Sequence, residues 1–256
     1  MNLTHLLPVG CAGWKAVRSG ESGAVVYREK SGRWYAKLGP VAELAAERDR
    51  ITWLADTGIP GAKVEGWRET MDGACLLTSA VKGVPASELA PDELLKAWPA
   101  IADVVRSLHQ RTDCPFERPL GTVLEQARST VAARLVQAEF LPEELLATPP
   151  AEILATLEAR RPSAETPVVC HGDLCLPNIM VDPRKAQVTG LIDVGRLGLA
   201  DRYADLALLL ANSRETWTDS DHDAEFAARY GIELDATKLQ FYLWLDPLTW
   251  PGSVVG

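Results

Sequence analysis

The residues best suited to chemistry lie in one run, Cys170-His171-Gly172-Asp173-Leu174-Cys175-Leu176-Pro177-Asn178, with the pattern H-G-D-x-x-x-x-N. A second run follows, Leu191-Ile192-Asp193-Val194-Gly195-Arg196. Asp173 can orient a hydroxyl and accept its proton. Asn178 and Asp193 offer the hard oxygen donors that magnesium prefers. That set suits phosphoryl transfer, which needs positioning and charge neutralisation more than covalent chemistry. Taken singly, Asp173 and Asp193 would read as caps of turns; the two motifs in this order and at this separation carry the chemical reading. A zinc site built on Cys170, His171 and Cys175 lacks a second Cys-rich cluster to supply a fourth ligand. The pattern G-x-x-x-x-G-K-[ST] is absent, which excludes a P-loop kinase. No Ser or Cys is credibly placed for a covalent intermediate, so direct in-line transfer is expected.

The elements that must position these groups are legible in outline. Ala24-Val25-Val26-Tyr27 and Arg33-Trp34-Tyr35-Ala36-Lys37-Leu38 read as strands joined by a turn at Ser31-Gly32. From Ala42 to Asp56 the spacing of Leu44, Glu47, Ile51 and Leu54 predicts a helix, ended by Gly58 and Pro60. Ala74 to Thr78 reads as a buried strand, and Lys82-Gly83-Val84-Pro85 as a connector. Beyond it the pattern is mainly helical: a start at Ala90-Pro91-Asp92-Glu93 with an amphipathic run from Leu94 to His109, then Leu120 to Gln137 and Pro150 to Arg160. Two short apolar runs, Val168 to Cys170 and Val188 to Ile192, interrupt it, and Ile179 to Pro183 reads as a strand and turn between the two motifs. A strand-rich part, a connector and a helix-rich part predict an α+β chain of two lobes.

The order of the motifs resembles the eukaryotic-like kinase superfamily, in which a catalytic loop ending in Asn precedes a hairpin and a metal-binding Asp before Gly. More narrowly, four stretches resemble the aminoglycoside phosphotransferases: Val169 to Gly198, Ala200-Asp201-Arg202-Tyr203-Ala204-Asp205-Leu206-Ala207, Glu47-Arg48-Asp49 and Asp113-Cys114-Pro115-Phe116. The C-terminal Tyr242-Leu243-Trp244-Leu245-Asp246-Pro247-Leu248-Thr249-Trp250 extends the likeness, which runs from about Ser19 to Trp250. Within that family, Leu94 to Pro99, Cys114 to Arg118 and Leu245 to Trp250 are most similar to the streptomycin 3''-phosphotransferases.

The resemblance implies a bilobal protein-kinase-like fold, with an N-terminal antiparallel sheet plus one helix and a mainly helical C-terminal lobe. It divides the chain into a nucleotide lobe at 1–78, a hinge at 79–83 and a catalytic and substrate-binding lobe at 84–256. It makes Asp173 the catalytic base and Asn178 and Asp193 the magnesium ligands. Lys37 would hold the phosphates of ATP. Its partner is Glu47 by alignment with the family, since Glu43 lies only one turn away. Ser22, in the loop Gly20-Glu21-Ser22-Gly23, would cover the phosphates, and Ser79 to Val81 would meet the adenine edge. Asp246 matches a substrate-binding position; Glu143, Glu144 and Arg196 are looser substrate candidates. Asp201 and Asp205 are expected to brace the catalytic lobe. The implied activity is transfer of the γ-phosphate of ATP to an aminoglycoside hydroxyl, conferring antibiotic resistance.

Composition narrows the alternatives. The chain has 256 residues, 47% hydrophobic and 24% charged, enough for a sizeable core. Its net charge of −9 argues against a nucleic-acid partner and is compatible with a cationic ligand. The start reads as no signal peptide, and no apolar run approaches the ~18 residues of a membrane helix. Five cysteines without regular spacing fit a reducing cytoplasm better than a disulfide framework. The motifs do not distinguish an aminoglycoside kinase from an aminoglycoside 3'-, choline- or homoserine-type kinase of the same fold. A non-catalytic nucleotide-binding protein is the reading from another class, against which intact Lys37, Asp173, Asn178 and Asp193 weigh. Nucleotide preference, regiochemistry and oligomeric state stay open.

Overall fold

The computed structural model describes residues 3–9, 13–17, 25–217 and 222–252. In chain order come β1 (Trp14–Val17), β2 (Val25–Glu29), β3 (Trp34–Gly39), α1 (Val41–Asp56), β4 (Val64–Thr70), β5 (Gly73–Ser79) and β6 (Val84–Pro85). Next are α2 (Pro91–His109), α3 (Leu120–Ala132), α4 (Pro150–Ala159), β7 (Pro167–Cys170), β8 (Ile179–Asp182) and β9 (Gln187–Leu191). The chain finishes with β10 (Gly198–Asp201), α5 (Tyr203–Thr216), α6 (Asp223–Tyr230) and α7 (Ala236–Leu245). It forms two compact units, Met1–Ile101 with Pro177–Arg196 and Ala102–Leu176 with Leu197–Gly256.

The first unit holds a five-stranded antiparallel sheet in the order β1-β2-β3-β5-β4. The β2–β3 hairpin closes at Gly32, whose N–H donates to Glu29 O at 2.8 Å. On β3 the side chains alternate. Ala36 and Leu38 are buried in the core beneath Leu6 and Cys75, so Lys37 between them faces the other side. The helix α1 packs on β3, β4 and β5. Leu44, Glu47, Ile51 and Leu54 form its buried face, the period read in the sequence. The short strands β6, β8 and β9 form a separate antiparallel sheet in the same unit.

At the start of α2, Pro91 takes the first helical position, where its missing N–H costs nothing. Glu93 reaches back to accept the Ala90 N–H while its own N–H donates to Ala90 O. In the second unit β7 and β10 pair as an antiparallel ribbon. Helices α3, α4, α5 and α7 bury Leu120, Leu124, Leu157, Tyr203, Phe241 and Leu245 around one core.

Several elements depart from the sequence reading. Helix α3 ends at Ala132 rather than at Gln137, because Arg134 turns left-handed at φ 57° and the Leu135 N–H closes back onto Thr130 O. The strands β1, β4 and β10 are not predicted by the sequence reading. β4 carries Glu and Arg on a largely exposed strand, and β10 is four residues whose partner lies far back along the chain.

Candidate active site

In the first unit the Lys37 ammonium donates to Glu47 Oε1 at 2.6 Å and to Asp193 Oδ1 at 2.8 Å. Burial alone would lower the lysine's pKa; the two carboxylates outweigh it and hold the group above its ordinary value. Glu47 rather than Glu43 makes the pair, because Glu47 sits on the buried face of α1 and Glu43 is exposed. Asp193 adopts φ 61°, a left-handed conformation unusual for a residue with a Cβ. Asn178, buried at the entrance to β8, accepts the Ile192 N–H on its backbone carbonyl at 3.0 Å. Asn178 and Asp193 therefore stand at neighbouring ends of the β8–β9 hairpin. An amide oxygen and a carboxylate form a hard-oxygen donor set, which fits magnesium and not a soft metal.

The connector is fixed onto this hairpin. Thr189 Oγ1 donates to Lys82 O of the connector, while the Leu191 N–H donates at 2.9 Å to Pro60 O in the segment between α1 and β4. Ser79 spends its N–H on Lys63 O at 2.9 Å, and its hydroxyl oxygen accepts the Lys63 N–H. The Ala80 N–H donates to Arg33 O. The Val81 N–H makes no hydrogen bond to another described residue. Ser22 lies outside the described residues.

In the second unit the loop after β7 carries Asp173, half-buried, directly behind Gly172 at φ 83°. Helix α5 anchors this loop at two points. Asp205 Oδ2 accepts the His171 N–H at 2.6 Å and Asp205 Oδ1 accepts the Gly172 N–H at 2.8 Å. Asn212 Oδ1 accepts the Leu176 N–H at 2.9 Å. Burial pushes the Asp205 pKa up, yet the hydrogen bonds from His109 and the Gly172 N–H win, leaving it below the usual carboxylate range. Asp201 is likewise buried, accepting N–H groups from Thr166 and Tyr203 and the Lys238 ammonium at 3.0 Å. Asp205 braces the loop that carries Asp173, and Asp201 ties the start of β7 to α5 and α7. Asn212 and His109 carry no local sequence signal for this role, because their partners are distant along the chain.

His109, Cys170 and Asp205 lie close enough to be considered as metal ligands. Their protons are otherwise accounted for. Cys170 Sγ donates to Asp201 O at 3.3 Å, and burial raises its thiol pKa well above the ordinary value, which disfavours the thiolate a metal needs. Cys175 Sγ lies 4.0 Å from Asp173 Oδ1.

The substrate candidates are held separately. Asp246 follows α7; its Oδ2 accepts the Trp250 indole N–H at 3.0 Å, and it lines a small cavity with Arg118, Asp201 and Tyr242. Glu144 Oε1 accepts the Trp244 indole N–H at 3.1 Å, and Glu143 is exposed on the same turn. Arg196 is half-buried at the end of the Asp193 segment, in the first unit.

Residues 13–242 match the model of the phosphotransferase enzyme family. The chain is 54% identical over 251 residues to a streptomycin 3''-kinase of Streptomyces griseus, covering 93% of this chain and 92% of that one. It is 40% identical to an aminoglycoside 3'-phosphotransferase of Streptomyces fradiae, covering 91% of this chain and 94% of that one. The solved aminoglycoside phosphotransferase APH(3'')-Id of Streptomyces rimosus, in complex with ADP and streptomycin, superposes with a TM-score of 0.88 at 50% identity, covering 94% of each chain. The chain has the kinase-like fold of these enzymes and belongs to the phosphotransferase enzyme family, among its aminoglycoside phosphotransferases.

Proposed function

We propose that this chain is an ATP-dependent streptomycin 3''-kinase acting in the cytoplasm and conferring resistance to the drug. The observation that carries the reading is likeness along nearly the whole chain to a streptomycin 3''-kinase, 54% against 40% for a 3'-phosphotransferase. The reaction joins the sugar 3''-oxygen to the γ-phosphorus of ATP, breaks the bond from that phosphorus to the β–γ bridging oxygen, and releases ADP and a proton. Asp173 orients the hydroxyl and takes its proton as the new bond forms. Lys37, kept charged and in place by Glu47, holds the phosphates, with Ser22 in the loop over them. The connector at 79–83, through Ser79 and Val81, meets the nucleobase edge, between a nucleotide lobe at 1–78 and a catalytic lobe at 84–256. Asn178 and Asp193 would hold magnesium, which when bound supplies neutralising charge to the phosphates. The drug is a polycation, and Asp246, Glu143 and Glu144 are the carboxylates suited to meet its charged groups, with Arg196 beside the metal-binding segment.

The test is transfer from magnesium-ATP by the purified protein to streptomycin and, in parallel, to kanamycin, each product read by mass spectrometry. A single added phosphate on streptomycin alone, placed at the 3''-oxygen by product NMR, is the expected result. Transfer to kanamycin alone would refute the substrate and favour the 3'-reading.

A further inference from the structure

Asp205 is fully buried and takes a third hydrogen bond besides those from the catalytic loop. His109 Nε2, at the C-terminal end of α2, lies 3.0 Å from Asp205 Oδ2. An ionised carboxylate only accepts, so Nε2 must carry the hydrogen. In the neutral ring that leaves Nδ1 as an acceptor, and the Tyr230 hydroxyl lies 2.7 Å from it. Tyr230 keeps its proton: burial pushes its pKa up to about 12. Its ring is fixed as well. It stacks on Phe226 at 6.0 Å, meets the His109 ring edge-on at 5.6 Å, and is the last residue of α6 before Gly231 turns left-handed.

We propose that Tyr230 and His109 are positioning residues for phosphoryl transfer: hydrogen bonds run from the Tyr230 hydroxyl through the His109 ring to Asp205, and from Asp205 to the His171 and Gly172 amides beside Asp173. Asp205 is shared between its two tasks. Its Oδ2 accepts from His109 and from the His171 amide together, so the imidazole fixes the direction in which the carboxylate faces the loop. Without that N–H the buried carboxylate can rotate, and the backbone next to Asp173 loses its reference. Small misplacement of a reacting group is costly in rate while leaving binding nearly untouched. The three side chains come from α2, α5 and α6, elements far apart in sequence. The relay rests on the kinase reading above for its effect on turnover, and on geometry alone for its effect on the loop.

Two measurements separate these. The first compares wild type with His109→Leu, His109→Gln and Tyr230→Phe for ADP release with streptomycin, with melting temperatures alongside. His109→Leu should lower kcat about 30- to 100-fold with each KM within about threefold. His109→Gln, whose amide can present an N–H where Nε2 stood, should recover most of that loss. Tyr230→Phe, which keeps the stacked ring, should lower kcat roughly three- to tenfold. The second measurement needs no turnover: amide hydrogen exchange at His171 and Gly172 should be faster in His109→Leu and return toward wild type in His109→Gln. Wild-type exchange rates at both amides in His109→Leu would overturn the proposal. So would equal kcat losses in the Leu and Gln variants, or losses that follow melting temperature alone. If His109→Leu does not fold, an unchanged kcat in Tyr230→Phe overturns it. A wild type inactive on streptomycin counts against the substrate reading, while the exchange data still decide the relay.

Discussion

Burying an ammonium group is unfavourable unless carboxylates accompany it, and Lys37 has two, Glu47 and Asp193. This triangle divides the labour in a way that mutation can resolve. Asp193 belongs to the first unit, with Lys37 and Asn178; Asp173 belongs to the second, on a loop tied to α5. If Asp173 is the proton acceptor, as proposed, Asp173→Ala should lower kcat by about 10³-fold or more while ADP affinity stays within about twofold. Asp193→Ala should instead abolish magnesium-dependent nucleotide binding, read by titration calorimetry with and without the metal. Tight magnesium-nucleotide binding by Asp193→Ala would defeat the ligand assignment, and near-normal kcat in Asp173→Ala would defeat the base. At this scale the sequence spoke clearly wherever chemistry and local period coincide. Lys37 lies between two buried strand residues, and Glu47 lies in step with Leu44, Ile51 and Leu54. It was silent on Asn212, His109 and Tyr230, whose parts depend on partners that only the fold brings near.

Among elements, the connector and the β8–β9 hairpin are packed so closely that two glycines leave no room for a side chain. A Cβ on Gly83, at φ 109°, would lie 2.4 Å from Val181 O, a backbone atom held in the β6–β8 ladder. A Cβ on Gly190 would lie 2.7 Å from Val81 Cγ1 and 3.1 Å from Gly61 Cα. Gly58, at φ 82° after α1, is open: a Cβ there would meet nothing within 4 Å, so this position isolates the backbone cost from the steric one. Gly58→Ala should cost about 1 kcal/mol, the strain of a left-handed alanine, and Gly83→Ala roughly 3 kcal/mol or more. Urea unfolding of both variants checks this; equal losses would show that the packing of connector on hairpin does not matter. The sequence marked Gly83 as part of a connector but could not show what it touches. Strand β10 escaped for the same reason: Gly198-Leu199-Ala200-Asp201 has little strand propensity of its own and is made a strand by pairing with β7. Arg134 shows the reverse case, a residue of good helix propensity placed where α3 stops.

For the molecule as a whole, the charge of −9 sets a field that acts oppositely on the two substrates. It attracts a polycationic drug and repels a nucleoside triphosphate. None of the helices among the described residues is long and apolar enough to cross a membrane. Salt screens it: the Debye length falls from about 30 Å at 0.01 M to about 8 Å at 0.15 M. If Asp246, Glu143 and Glu144 meet the drug's guanidinium groups, the short-range attraction weakens along with the long-range field. The KM for streptomycin should then rise several-fold across that salt range, while the KM for magnesium-ATP stays flat or falls. Opposite slopes rule out a general loss of activity in salt, because a denaturing or viscosity effect would move both constants together. Asp246→Asn should flatten the streptomycin slope and leave the ATP slope unchanged. A streptomycin KM independent of salt would remove the electrostatic basis for placing the drug against these carboxylates, and would turn attention to the indoles of Trp244 and Trp250, which hold Glu144 and Asp246 in place.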